Sequence, residues 1–146
     1  MLHHIMDPAD VDAVISHPLC MIGSDGSSLR PDGPLGQGRH HPRSYGTFPR
    51  VLQEYVRERG VITLEQAIHK MTGQAADKLR LADRGLVRTG HHADLVIFDP
   101  ETVAEGSSYE DPYQYPVGID LVMVNGEVVV QDGEHTGRLP GRVLRR

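Results

Sequence analysis

Apolar residues fall at helical spacing near the start of the chain, where Val11, Val14 and Ile15 follow Asp7-Pro8 and His17-Pro18 closes the run. Aspartate caps the free N–H groups of a first turn and proline suits the first helical position, so a helix is expected from Pro8. Leu19-Cys20-Met21-Ile22 is then apolar at every position and ends in Gly23-Ser24-Asp25-Gly26. A short run apolar on both faces predicts a buried strand of the parallel-sheet type. From Ser27 to Arg43 there is no periodicity, as expected of a long loop. Val51, Leu52, Tyr55 and Val56 share one face of a helix that Gly60 ends. Thr63 and Gln66 have capping-box spacing for the next helix, whose stripe is Leu64, Ala67, Ile68 and Met71. A further short helix is expected from Gly73 to Leu79.

The pattern then changes period. Ala93-Asp94-Leu95-Val96-Ile97-Phe98-Asp99 reads as a strand after a turn at Thr89-Gly90. Leu121-Val122-Met123-Val124 and Glu127-Val128-Val129-Val130 are joined by Asn125-Gly126. Two β-rich runs around Asn-Gly predict a type I′ hairpin, because both turn residues must take positive φ. Asp132-Gly133 marks another turn. The single parallel-type strand at 19–23 has no second parallel strand nearby, and an unpaired buried strand wastes its backbone donors and acceptors. Its neighbours are therefore expected in upstream sequence or in another chain.

Composition allows a core to form. The 146 residues are 38% hydrophobic, with no Trp, 16 Gly and 10 Pro, which suits a loop-rich surface that packs against something else. A net charge of −5 argues against general nucleic-acid binding. Arg138, Arg142, Arg145 and Arg146 read as a solvated basic tail. Cys20 is the single cysteine, so no intrachain disulfide forms, and a small buried core role is expected for it. No apolar run approaches the ~20 residues of a membrane span. Met1-Leu2-His3-His4-Ile5-Met6 lacks a signal-peptide layout, so a soluble, cytoplasmic setting is expected. The histidines form adjacent pairs, His3-His4, His40-His41 and His91-His92. Neighbours in sequence point to different sides and do not give the i, i+4 geometry of a two-imidazole metal site, so they read as polar loop residues.

Asp25 is the candidate for chemistry. It stands three residues past Ile22, and functional residues of parallel sheets and barrels sit just beyond strand carboxyl ends. Gly23 and Gly26 flank it and leave room for a ligand near the backbone. The plain alternative is an aspartate that caps a turn.

Met21-Ile22-Gly23-Ser24-Asp25-Gly26 and His41-Pro42-Arg43-Ser44-Tyr45-Gly46-Thr47-Phe48-Pro49-Arg50-Val51-Leu52 resemble the final barrel strand and following loop of the N-acyl-D-amino-acid deacylases, the D-aminoacylases of the amidohydrolase superfamily. The resemblance continues through Lys70-Met71-Thr72, Asp83-Arg84-Gly85-Leu86, Gly90 and Ala93 to Asp99. It runs on through Val124-Asn125-Gly126, Asp132 to Gly137 and Pro140-Gly141-Arg142, covering nearly the whole chain. It implies an α/β fold: the C-terminal fragment of a (β/α)8 barrel plus strands of a small β-sandwich. Residues 1–80 would supply the last strand, active-site loop and terminal helices of the barrel, and residues 81–146 part of the sandwich.

The implied activity is zinc-dependent hydrolysis of a linear amide to a carboxylate and a D-amino acid. In the family the metal activates a water, and the aspartate matched by Asp25 takes its proton and passes it to the leaving amine. Asp25 is also the one candidate metal contact. Ser24, His41, Arg43 and Tyr45 are expected on the substrate side of the loop, where Arg43 is suited to grip a carboxylate bidentately. The family's His-x-His and its further zinc ligands have no counterpart in this sequence. This chain alone is therefore expected neither to bind zinc nor to turn over substrate, and to need an N-terminal barrel fragment as partner. Two alternatives stand beside this reading. One is a non-catalytic remnant that self-associates into a homo-oligomer through open sheet edges. The other is a fragment of a dihydropyrimidinase-like amidohydrolase.

Overall fold

The computed structural model describes residues 6–144, so Met1, His3-His4, Arg145 and Arg146 lie outside the described residues. Helix α1 spans Pro8–Ser16, and the Asp7 carboxylate accepts the Ala9 N–H at 2.8 Å, as the capping pattern predicts. Of its stripe, Ile15 is buried, whereas Val14 is left 52% exposed.

The expected strand at 19–23 does not form. These residues carry no ladder, Leu19 is 79% exposed, and Cys20 is half-buried instead of buried. A strand exists only through pairing, and the described chain offers this segment no neighbouring strand. The Ile22 N–H goes instead to the Lys70 carbonyl at 3.3 Å.

After an irregular stretch, the next helix begins at Arg43 and not at Val51. Helix α2 is Arg43–Arg50 and holds Pro49 in its interior. Proline there removes an N–H donor and crowds the carbonyl four residues back. Directly after it the helix widens into π-type turns over Val51–Glu58. The wider register persists to the end, where the Arg59 N–H reaches the Glu54 carbonyl at 2.9 Å. Helix α3, Leu64–Met71, starts on the expected capping box. The Gln66 N–H donates to Thr63 Oγ1 at 3.2 Å, and the Thr63 N–H to Gln66 Oε1 at 2.9 Å. Helix α4 follows as Gly73–Leu79.

The second half is an antiparallel meander: β1 Leu95–Phe98, β2 Ile119–Val124, β3 Glu127–Gln131 and β4 Glu134–His135, in that order across the sheet. Asn125 and Gly126 take φ of 49° and 83°, the type I′ geometry, and Asp132-Gly133 turns likewise at 52° and 81°. Asp94 accepts the Asn125 N–H at 2.7 Å and pairs with Arg84, whose guanidinium also reaches Asn125 Oδ1. That network pins the hairpin turn to the start of β1.

The core gathers Ile15, Val51, Leu52, Ile62, Ala67 and Val103, with Phe98 and Ile119 of the sheet packed against it. No residue of β1, β2 or β3 is itself buried, and Val96 and Ile97 are 53% and 55% exposed. Apolar residues of the sheet are thus left half-covered. Among the described residues, no helix is long and apolar enough to cross a membrane.

Candidate functional site

Asp25 sits in a left-handed turn at φ 49°, a conformation that Asp tolerates better than most residues. Ser24 shapes the turn by accepting the Gly26 N–H on its Oγ at 3.1 Å. Gly26 is required for a reason other than ligand access. A Cβ added there would lie 3.0 Å from Ser44 Cα and 3.2 Å from the Arg43 carbonyl, so its small size lets the turn meet the start of α2. At Gly23 such a Cβ meets nothing within 4 Å.

That contact brings the chemistry together. Arg43 opens α2, and its Nη1 lies 3.0 Å from Asp25 Oδ2. The two side chains are 45% and 84% exposed, so solvent screens the pair and it adds little to stability. Its effect is orientation. His41 is tied to the same unit, its Nδ1 accepting the Arg43 backbone N–H at 3.1 Å. Burial, then the Arg43 and Arg50 cations, push His41 below the ordinary imidazole range, with Asp25 opposing. A neutral ring that accepts at Nδ1 carries its proton on Nε2, which donates to Tyr109 Oη at 3.2 Å. The two rings meet edge-to-face, 5.1 Å apart.

A cavity of about 500 Å³ opens beside this unit, lined by Met21, Ile22, His41, Arg43, Arg50 and Glu105 among others. Burial raises the Glu105 carboxyl, and Arg50 at 3.6 Å counters it. Ser24 and Tyr45 line a second cleft of about 320 Å³ together with Tyr115. Tyr45 packs edge-on against Tyr113 and Tyr115 at 6.0 and 5.8 Å, and burial raises its phenol. Its hydroxyl is buried with no hydrogen-bond partner among the described residues. So Asp25, His41 and Arg43 come together, while Ser24 and Tyr45 belong to the neighbouring cleft.

The sequence reading missed the excursion between β1 and β2. It is closed at its base by the Ala104–Val117 bridge and folds back onto the site loop. Arg39 donates to the Glu110 carbonyl at 2.7 Å, and Ser107 Oγ to the Pro42 carbonyl at 3.2 Å. A signal was present: Tyr109, Tyr113 and Tyr115 are three of the chain's five tyrosines, packed into seven residues.

The residues present do not fit a complete metal centre. Among the described residues, no three His, Cys, Asp or Glu side chains gather closely enough to hold an ion. His40 packs on Tyr113, and His92 faces Asp83 at 3.3 Å. What remains is an exposed carboxylate set against a guanidinium that lines the cavity. The first is a proton acceptor and the second a grip for anions.

The model of the Amidohydrolase family matches residues 9–130. The chain is 48% identical over 144 residues to an N-acyl-D-aspartate deacylase of Alcaligenes xylosoxydans xylosoxydans, a match over 98% of this chain and 27% of the relative. A solved D-aminoacylase with a binuclear metal center superposes with a TM-score of 0.88 at 47% identity, covering 97% of this chain and 28% of the other. An N-acyl-D-glutamate deacylase from Bordetella bronchiseptica, complexed with zinc and a phosphonate mimic of the tetrahedral intermediate, superposes with a TM-score of 0.84 at 44% identity, over 97% and 28%. The chain thus spans about a quarter of the length of the curated relatives it matches.

Proposed function

The chain belongs to the amidohydrolase family, and from that premise we propose that it is the C-terminal portion of a zinc-dependent N-acyl-D-amino-acid deacylase. In this reading residues 1–80 carry the last strand, active-site loop and terminal helices of a (β/α)8 barrel, and residues 81–146 belong to a small β-sandwich. The observation that carries it is the Asp25–Arg43 pair at 3.0 Å on a chain 48% identical to a deacylase. The segment at 19–22, which lacks a strand partner, and the half-covered sheet support it, since further protein would pair the first and bury the second.

Asp25 is the proton carrier: it accepts a proton from the attacking water and delivers it to the leaving nitrogen as the amide breaks. Arg43 receives the substrate carboxylate, and it holds Asp25 in place until substrate arrives. Ser24 and Tyr45 border the same loop from the second cleft, and His41 fixes the backbone from which Arg43 projects. Among the described residues no group of side chains completes a zinc site, so the metal's ligands would come from the missing N-terminal part.

Mixing the chain with an N-terminal fragment of a D-aminoacylase is expected to yield zinc binding and hydrolysis of N-acetyl-D-amino acids. Gain of neither sinks the proposal. A discrete metal-free oligomer would then favour a self-associating module, and cleavage of cyclic imides alone would favour a dihydropyrimidinase-like enzyme. Neither alternative is favoured by the matches, among which relatives 41–48% identical are deacylases.

Within such a complex, Arg43→Lys is expected to raise KM about tenfold, the loss of a two-pronged contact to a carboxylate. Steady-state kinetics decide this, and an unchanged KM would leave Arg43 as a loop anchor only.

A further inference from the structure

Lys70 carries a charge where charges are rarely found. Its residue is only 4% exposed, and among the described residues no carboxylate pairs with it. A buried ammonium is costly unless its protons are taken up by acceptors. The acceptors here are the His17 carbonyl at 2.6 Å and the Cys20 carbonyl at 3.0 Å. His17 is the C-cap of α1, so the cation also sits at the negative end of that helix.

The contacts are not confined to the ammonium. The Lys70 backbone carbonyl accepts the Ile22 N–H at 3.3 Å, and Gln74 Nε2 donates to the Pro18 carbonyl at 2.8 Å. The Cys20 carbonyl and the Ile22 N–H both meet Lys70, which places them on the same edge of residues 20–22. One residue of α3 therefore meets that edge with both a donor and an acceptor, in the manner of a neighbouring strand. The segment so held leads within three residues from Ile22 to Asp25.

We propose that Lys70 is the positioning residue for Asp25: its buried ammonium and backbone carbonyl clamp residues 17–22 against α3 and so fix where the Asp25 turn begins. The link to catalysis rests on the deacylase reading above, whereas the clamp itself does not.

The test compares wild type, Lys70→Met and Lys70→Arg. Amide exchange in the isolated chain is expected to speed up about tenfold or more at Cys20 and Ile22 in Lys70→Met, the loss of charge-assisted hydrogen bonds. Amides of β2 and β3 should be unaffected. The Ile22 acceptor is a backbone carbonyl that the substitution leaves in place, so faster exchange there reports movement of the segment. In the complemented complex, Lys70→Met is expected to lower kcat about tenfold with KM unchanged, and Lys70→Arg to restore much of it. A merely structural loss would lower the amount of active protein and would not be rescued by another cation at wild-type stability. Unchanged exchange at Cys20 and Ile22, or an active complex with kcat unmoved, overturns the proposal. If the wild-type complex hydrolyses nothing, the deacylase reading fails and the exchange result still decides the clamp. Should Lys70→Met lose its fold throughout, the Nζ resonance of wild type decides. Slow proton exchange with correlations to the His17 and Cys20 carbonyls supports the clamp, and free exchange with water overturns it.

Discussion

Asp25→Asn is expected to lower kcat of the complemented enzyme by roughly two to four orders of magnitude, the usual worth of a positioned general acid–base group. The substitution isolates proton transfer unusually well at this position. Asparagine accepts the left-handed turn at φ 49° about as readily as aspartate. Its carbonyl oxygen can still accept from Arg43, so the loop keeps its geometry. Stability should move little, because the Asp25 side chain is 84% exposed and its ion pair is screened. What asparagine cannot do is take a proton from water and release it to an amine. KM should therefore stay near the wild-type value while kcat collapses. A loss of less than tenfold would return Asp25 to the role of a turn residue, held by Ser24 and Gly26 for shape alone.

How much of this was legible beforehand depended on how local the physics was. Asp7-Pro8, Thr63 with Gln66, Asn125-Gly126 and Asp132-Gly133 each act within three or four residues. Each specified its cap or turn without help from the rest of the chain. The segment at 19–22 failed for the opposite reason. Its apolar run stated a preference for burial between strands, but a ladder depends on partners elsewhere, and what meets the segment instead is the Lys70 side chain and backbone. The same distance hid the helix at Arg43–Arg50. Pro49 reads locally as a breaker, yet packing keeps the helix going and the register widens to accommodate the missing donor.

The site divides along the same line. Asp25 was visible because a polar turn follows an apolar run, and Arg43 because its motif resembled a family loop. Both lie on one continuous stretch of chain. Tyr109 was invisible because it meets His41 from 68 residues away, and nothing in its neighbourhood announces the contact. The excursion that carries it is fixed by long-range pieces: the Ala104–Val117 bridge, the Ser107 bond to Pro42, and the close approach of Gly46. A Cβ on Gly46 would come within 2.6 Å of Ser107 Oγ and 2.8 Å of Glu105 Oε2. The tyrosine cluster at 109–115 hinted at an aromatic patch, but not at which loop it would cover.

The base of that excursion is where the largest loss of stability is expected, from Gly118→Ala. Gly118 holds φ +74°, and a Cβ there would stand 2.5 Å from Val103 N and 2.6 Å from Val103 Cα. These are backbone atoms, so no rotamer change relieves the contact. Moving them is expensive, because Val103 is fully buried and its carbonyl accepts from Arg57 Nη1 at 2.7 Å. The Gly118 carbonyl in turn accepts the Asp99 N–H at 3.0 Å. Left-handed strain and overpacking each cost about 1–3 kcal/mol, so a loss of about 3 kcal/mol or more is expected. For a chain of this size that lowers Tm by roughly 6–12 °C. Gly126→Ala separates the two causes, since Gly126 has φ +83° but open space around it. It should lose about 1 kcal/mol, the strain alone. Equal Tm shifts for the two variants would show that the close approach to Val103 costs nothing. A much larger shift for Gly118→Ala, with faster exchange at Ala104 and Val117, would identify this contact as the joint through which the sheet supports the loop over His41.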